Sequence, residues 1–264
     1  NFRNGGCYCI MDDQLRRVYY GDPSSLRDFA NKFFTVVSQD LFTNMLHVCD
    51  FGCGDGFNTE WWCNQAPYDD AEPYANHTKV SGIDLIHSKT DKFDRTQGDI
   101  LSMPYKDNEF NLGWCHHTLQ QLKDPVLGLV EMRRVMTDYS LLFLSIPQPL
   151  DKEYNRLKTK FSQFDRVFYT LPILITHLAM AGWDCRGGYF LKEVNDRNIC
   201  AVVKPMRDWK APNDPYELNM YDLMDRKVLP ESTDDMIKAK GYFDETALML
   251  RWMTGALTDY NTRV

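Results

Sequence analysis

The most constraining feature of the chain is the run His47-Val48-Cys49-Asp50-Phe51-Gly52-Cys53-Gly54-Asp55-Gly56-Phe57. It reads as a short apolar strand ending in an acid, three glycines at alternate positions, and the start of a helix. Glycine has no Cβ and tolerates positive φ, so such a turn lets backbone approach a ligand closely. The helix behind it directs unpaired N–H groups at whatever sits in the turn. The pattern marks a nucleotide-type site, but it departs from the dinucleotide fingerprint Gly-x-Gly-x-x-Gly. The third glycine, Gly56, comes one position early, and Phe57 stands where that fingerprint needs glycine. A glycine-rich turn with no ligand is the plainer alternative, and the downstream chain has to decide between them.

A chain of 264 residues suits one large α/β domain, or one domain with a terminal addition. The net charge of −7 argues against a broad nucleic-acid surface, which would be basic. The longest apolar run, around Leu171 to Trp183, is too short to span a bilayer and contains His177. No signal peptide is visible. The chain opens on Asn1 rather than Met and is read as a trimmed or processed piece. Of the eight cysteines, Cys49, Cys53, Cys115 and Cys200 fall in or beside predicted core strands and the glycine loop. That usage is typical of reduced cytoplasmic thiols acting as small hydrophobes. Cys7-Tyr8-Cys9 has no partner pair at zinc spacing, and no metal is expected.

Residues 1–23 are irregular. Ser24 or Ser25 then caps an amphipathic helix carrying Leu26, Phe29, Ala30, Phe33, Phe34 and Val37 at helical spacing. Residues 58–64 should form the first helix after the glycine loop, and 64–79 a polar, acidic surface loop. Val80 to Leu85 is the next strand, ending on Asp84. An acid there is the expected partner for the two ribose hydroxyls of an adenosine, since a carboxylate can accept from both. Gly98-Asp99-Ile100 follows. A strand then runs from about Phe110 to His116-His117, and Asp124-Pro125 opens a helix as N-cap and N1. Leu141 to Ile146 is a further strand. The connection from Pro147 to Thr170 mixes Lys152, Arg156, Lys158, Lys160 and Arg166 with Tyr154, Phe161, Phe164 and Phe168. A solvated helix is its plainer reading, and a lid over an anionic or sugar-like substrate the functional one. Thr170 caps a helix through Ala181, and residues 183–191 and 198–204 form a closing antiparallel pair. Beyond Pro205 the chain reads as a linker and short helices over 216–227, 232–240 and 244–258.

The spacing Asp-x-Gly-Cys-Gly-x-Gly at residues 50–56 resembles motif I of the class I S-adenosylmethionine (SAM) dependent methyltransferases. Strand–glycine loop–helix, strand–Asp, Gly-Asp, strand–His-His, helix, strand, helix and hairpin follow in that family's order along residues 24–204. The resemblance implies an α/β fold with a mostly parallel seven-stranded sheet, a C-terminal antiparallel hairpin and helices on both faces. Residues 205–264 would be a helical extension, a candidate dimer contact. It also implies SAM as cofactor, held by Asp50, Gly52, Cys53, Gly54, Gly56, Asp84, Leu85, Asp99, Ile100 and Cys115. Asp99 would accept from the adenine amino group, and Ile100 would wall the ring. Tyr19 and Tyr20, before the first helix, could reach the same site. Glu131-x-x-Arg134-Val135 matches a stretch of these enzymes, whereas Asn111 replaces a usual Asp and Thr137–Ser140 a usual glycine.

The implied chemistry is methyl transfer to an O, N or C nucleophile of a small-molecule, sugar or lipid-like substrate. His116 and His117 are the candidate base or substrate ligand, since imidazole titrates near neutral pH. The alternative for either is packing or capping of the next helix. Two other classes stay open: a non-catalytic SAM-binding regulatory or partner subunit, and an aminopropyltransferase, which would normally add acids beyond the fourth strand.

Overall fold

The computed structural model describes residues 26, 27, 30, 46–64, 79–86, 93–147, 165–192 and 198–248. Seven strands make one sheet: β1 (His47–Phe51), β2 (Lys79–Asp84), β3 (Asp94–Gln97), β4 (Phe110–His116), β5 (Met136–Pro147), β6 (Trp183–Lys192) and β7 (Asn198–Pro205). Their order is β3-β2-β1-β4-β5-β7-β6. The first five are parallel to one another, and β7 runs antiparallel between β5 and β6. The chain winds outward from β1 through β2 to β3, then returns to start β4 on the other side of β1. That reversal leaves a crevice at the carboxyl ends of β1 and β4, the usual place for a ligand in an open α/β sheet.

Strict alternation along the central strands feeds two cores. Val48, Leu112, Trp114, Leu141, Phe143, Cys200 and Val202 face one side, with Trp62 and the helical residues Leu26 and Ala30. Cys49, Phe51, Cys115, Leu142, Leu144, Ile146, Ile199, Ala201 and Val203 face the other. Period-two alternation in buried strands is what a sheet covered on both faces requires. Helix α1 (Phe57–Asn64) follows the glycine loop, and α2 (Pro125–Val135) and α3 (Leu171–Met180) pack beneath the second core. Asp124 caps α2 by accepting from Leu127 N at 2.9 Å, with Pro125 at the first helical position. Glu131 and Arg134 pin the loop after Ile100. Glu131 Oε1 accepts from Met103 N at 2.8 Å, while Arg134 donates to the carbonyls of Met103 at 3.1 Å and Tyr105 at 3.0 Å.

Two local expectations need correction. Strand β3 was not anticipated, because Asp94-Arg95-Thr96-Gln97 is wholly polar and lies at the sheet edge. Strand β5 starts at Met136 rather than Leu141. Met136 pairs with Phe110 and Leu141 with Leu112, so Thr137–Ser140 bulge out where a glycine was looked for.

Residues 206–248 add α4 (Met220–Asp225) and α5 (Asp234–Lys240) between single 3-10 turns. They cover the open edge of β6. Cys185 N and Arg186 N donate to Val228 O at 3.0 and 3.1 Å, and Arg186 Nε donates to Leu229 O at 3.1 Å. Arg186 also pairs with Asp234 at 3.3 Å. Leu223, Val228, Leu229 and Ile237 are wholly buried in the same core as α2 and α3. At Cys185 and Arg186 the edge is thereby closed to pairing with another chain.

Several expectations lie outside the described residues: the segment 1–23 with Tyr19 and Tyr20, Phe29, Phe33, Phe34 and Val37, the insertion 65–78, the basic and aromatic residues 152–164, and the tail beyond Leu248.

Candidate active site

The glycine loop needs its glycines for two different reasons. Gly52, Gly54 and Gly56 all have positive φ, at 78°, 53° and 90°. A Cβ on Gly52 would fall 2.2 Å from Thr118 Oγ1, so that glycine lets the exit of β4 close against the loop. Among the described residues, a Cβ on Gly54 would meet nothing within 4 Å. The outward face of the loop is therefore an open cradle at Gly54, of the kind a ligand fills.

Asp84 borders that cradle. Its Oδ2 accepts from Gly54 N at 2.9 Å and its Oδ1 from Ile86 N at 2.9 Å. A carboxylate offers about four acceptor positions, so two remain for hydroxyls. Leu85, 64 % exposed, and the neighbouring Ile86 carry apolar surface beside it. The carbonyl of Asp84 accepts from Gly98 N at 2.9 Å, which sets Asp99 and Ile100 next to the tip of β2. Asp99 Oδ1 accepts from Leu101 N at 2.9 Å, a turn-forming bond that leaves its Oδ2 as second acceptor. Ile100 is buried against the core.

Beneath the loop, Asp50 is 1 % exposed and its Oδ2 accepts from Thr59 Oγ1 at 2.7 Å. Burial pushes its carboxyl up to about 7. The Thr59 hydroxyl pulls it back, Asp84 raises it further, and Arg27 and Arg95 lower it. Cys53 and Cys115 flank this acid as buried thiols. Burial and the Asp50 charge push Cys53 up to about 12, and Cys115 is raised for the same reasons. Both are packing groups rather than nucleophiles.

On the far side of the loop, Thr118 Oγ1 donates to His116 O at 3.1 Å and reaches Gly52 O at 3.4 Å. His116 ends β4. His117 follows with φ 53°, a strained conformation for a non-glycine residue. Three bonds hold it. Its N–H donates to Ser145 O at 2.8 Å, its carbonyl accepts from Gln120 Nε2 at 2.8 Å, and its Nε2 meets Asn198 Oδ1 at 2.9 Å. The two imidazoles stack with centroids 4.2 Å apart. The structure thus gathers Asp50, the loop, Asp84, Asp99 and the His116-His117 pair at one end of the sheet. It also brings in Arg95 and Thr118, which no sequence pattern marked. Arg95 sits on the polar strand β3, and Thr118 bears no spacing relation to the glycines.

Residues 49–144 match the methyltransferase domain family model. Its span runs from β1 into β5 and takes in the glycine loop, Asp84, Arg95, Asp99, His116, His117 and Thr118. The matched residues form a methyltransferase domain. The cofactor of that family, and of this domain, is SAM. Among solved structures, the methyltransferase domain is similar to a SAM-dependent methyltransferase from Archaeoglobus fulgidus, with a TM-score of 0.54 and 13% identity over 72% of this chain and 98% of that one. It is also similar to the 1,6-didemethyltoxoflavin-N1-methyltransferase of Burkholderia thailandensis, solved with S-adenosylhomocysteine, with a TM-score of 0.52 and 11% identity over 73% and 82%. A chain from the complex of the Haloferax volcanii Trm112 activator with a methyltransferase gives a TM-score of 0.50 and 11% identity over 75% and 99%. At these identities the likeness is one of fold. No curated protein sequence matches the chain significantly. Among the described residues, no helix of the methyltransferase domain or its extension is long and apolar enough to cross a membrane.

Proposed function

We propose that the chain transfers the SAM methyl group to an O, N or C nucleophile of a small-molecule, sugar or lipid-like acceptor. The reading is carried by the open face of the glycine loop at Gly54, tied on one side to Asp84 and abutted on the other by the exit of β4. Bound SAM supplies the electrophilic methyl on its sulfonium, so the protein has to bind, align and desolvate. In this reading Asp84 accepts from the ribose hydroxyls. Asp99 Oδ2 accepts from the adenine amino group, with Ile100 and Leu85 as apolar walls. Asp50, where it ionises above about pH 7, supplies negative charge beneath the cationic cofactor.

We favour the stacked His116-His117 pair as base or ligand for a hydroxyl acceptor, the ring nitrogens of His116 being buried within it. The His117 ring is engaged with Asn198 and nearly buried, which suits it to hold its stacked neighbour in place. We also infer a cytoplasmic setting, supported by Cys49, Cys115 and Cys185 serving as buried core thiols. A dimer through residues 205–264 would have to use what these leave exposed, such as Tyr216, Tyr221 and Tyr242. The likeness to a chain from an activator complex supports a second reading, a methyltransferase active only with a partner protein.

The test is incubation with methyl-labelled SAM and acceptor panels of phenols, amines, sugars and fatty acids, reading label transfer and S-adenosylhomocysteine together. Stoichiometric label and product are expected on one panel, with His116→Ala lowering turnover about 100-fold. Saturable SAM binding without label transfer on any panel or in cell extract would overturn the enzyme reading.

A further inference from the structure

Strand β3 brings a charged side chain to the cofactor crevice. In the register of β2 and β3, Arg95 stands opposite Gly82, two residues before Asp84 on the same strand face. The space over Gly82 is filled by Cys53 and Phe93, and the Arg95 guanidinium reaches past it to the glycine loop and the tip of β2. Its Nη2 donates to Gly54 O and, at 3.0 Å, to Ile86 O. These are the carbonyls of the same two residues whose N–H groups Asp84 binds, Gly54 N at Oδ2 and Ile86 N at Oδ1. Gly54 and Ile86 are thus each held at both backbone polar groups, the N–H by an anion and the carbonyl by a cation. Bonds with one ionised partner are stronger than neutral ones.

We propose that Arg95 is a positioning residue for the cofactor: with Asp84 it forms a clamp that fixes the open segment of the glycine loop to the tip of β2 and so presets the cradle before the cofactor arrives. The inference rests on the SAM-binding reading above and goes beyond it, because Arg95 belongs to none of the loop, ribose or adenine groups. The clamp fits the geometry of an ordering device. Among the described residues Gly54 has no close side-chain contact on its outer face, so their packing does not fix its backbone. A glycine segment left unanchored would pay its ordering entropy on binding, which weakens affinity without touching the chemical step.

The test compares wild type, Arg95→Met and Arg95→Lys. Methionine keeps an apolar stem and removes charge and donors. Lysine keeps a cation whose single nitrogen can bridge two carbonyls, as Nη2 does here. Two readouts are needed: S-adenosylhomocysteine titration, and amide hydrogen exchange at Gly54 and Ile86 in cofactor-free protein. Arg95→Met is expected to weaken S-adenosylhomocysteine about tenfold and to speed exchange at those two amides, while amides of β4 and β5 stay as slow as in wild type. Arg95→Lys should restore most of both effects.

Unchanged affinity and exchange in Arg95→Met would overturn the proposal. So would exchange that quickens uniformly across the sheet, which would make Arg95 a global stabiliser. The exchange arm uses no cofactor. If wild type bound no S-adenosylhomocysteine, the SAM-binding reading would fail while local exchange still decided the clamp.

Discussion

Asp50 makes the stability of this domain depend on pH in a direction opposite to that of most carboxylates. Its carboxyl is held at about 7 in the fold against an ordinary 3.8, chiefly by burial. A folded value above the unfolded one means the native state binds the extra proton. The favourable contribution is therefore complete below pH 3.8 and is lost as pH rises through about 7. The gap of about 3 pH units corresponds to about 4 kcal/mol of stability at 1.36 kcal/mol per unit. Asp50→Asn removes the ionisation and keeps an oxygen for the Thr59 hydroxyl, which donates at 2.7 Å. The variant should match wild type below about pH 3.8, lead by about 1 kcal/mol near pH 4.5 and gain further as pH rises, with the difference levelling off above pH 8. Urea unfolding of both proteins at constant ionic strength from pH 4.5 to 8.5 measures it. With a slope of about 2–3 kcal/mol per molar urea, the midpoints should separate by about 1–2 M. A difference that is flat across this range, or that shrinks as pH rises, would refute the claim that desolvation dominates at Asp50.

The two ends of the glycine loop should answer differently to one added methyl. Gly52→Ala places its Cβ in Thr118 and should cost about 2–4 kcal/mol of stability, read as a lowered Tm. Gly54→Ala enters open space and should cost only about 1 kcal/mol from its positive φ, yet weaken S-adenosylhomocysteine by at least about tenfold in a calorimetric titration. Equal effects of the two on both readouts would contradict the separate roles. Leu229→Ala empties a wholly buried site where the extension meets the main core, and should lower unfolding stability by about 2–5 kcal/mol in a single transition. Two separated transitions would instead show residues 206–248 unfolding on their own.

Most of the frame was legible because its physical requirements leave marks in composition. Positive φ at three alternate positions calls for glycine, so Gly52, Gly54 and Gly56 announced the loop. Burial on both faces calls for apolar runs, which placed β1, β4, the core of β5 and β7. Asp124-Pro125 and Thr170 marked the starts of α2 and α3 because unpaired N–H groups there need a cap. Strand β3 escaped because an edge strand of four polar residues owes its existence to pairing with β2, not to burial. Arg95 escaped with it. The bulge at Thr137–Ser140 was hidden for a related reason: where β5 arches away from β4, no glycine is required. Nor could residue types foretell the left-handed backbone at His117. It is imposed by Ser145, Gln120 and Asn198, drawn from three other parts of the chain. In the sequence Asp99 could be turn-former or ligand; its Oδ1 takes the first part, and its Oδ2 is left for the second.

The central claim is that Asp84 and the glycine loop hold the cofactor, and one titration tests it most directly. Wild type and Asp84→Asn are each titrated calorimetrically with SAM and S-adenosylhomocysteine, with NAD as the control ligand. Asparagine is nearly isosteric and keeps one acceptor for the Gly54 or Ile86 N–H, so the fold should hold. The account predicts one saturable site per chain in wild type for both sulfur ligands and none for NAD. It predicts affinity at least about tenfold weaker in Asp84→Asn, the loss expected when charge-assisted acceptance is removed. Wild type that ignores both sulfur ligands, or a variant that binds them as wild type does, would contradict it.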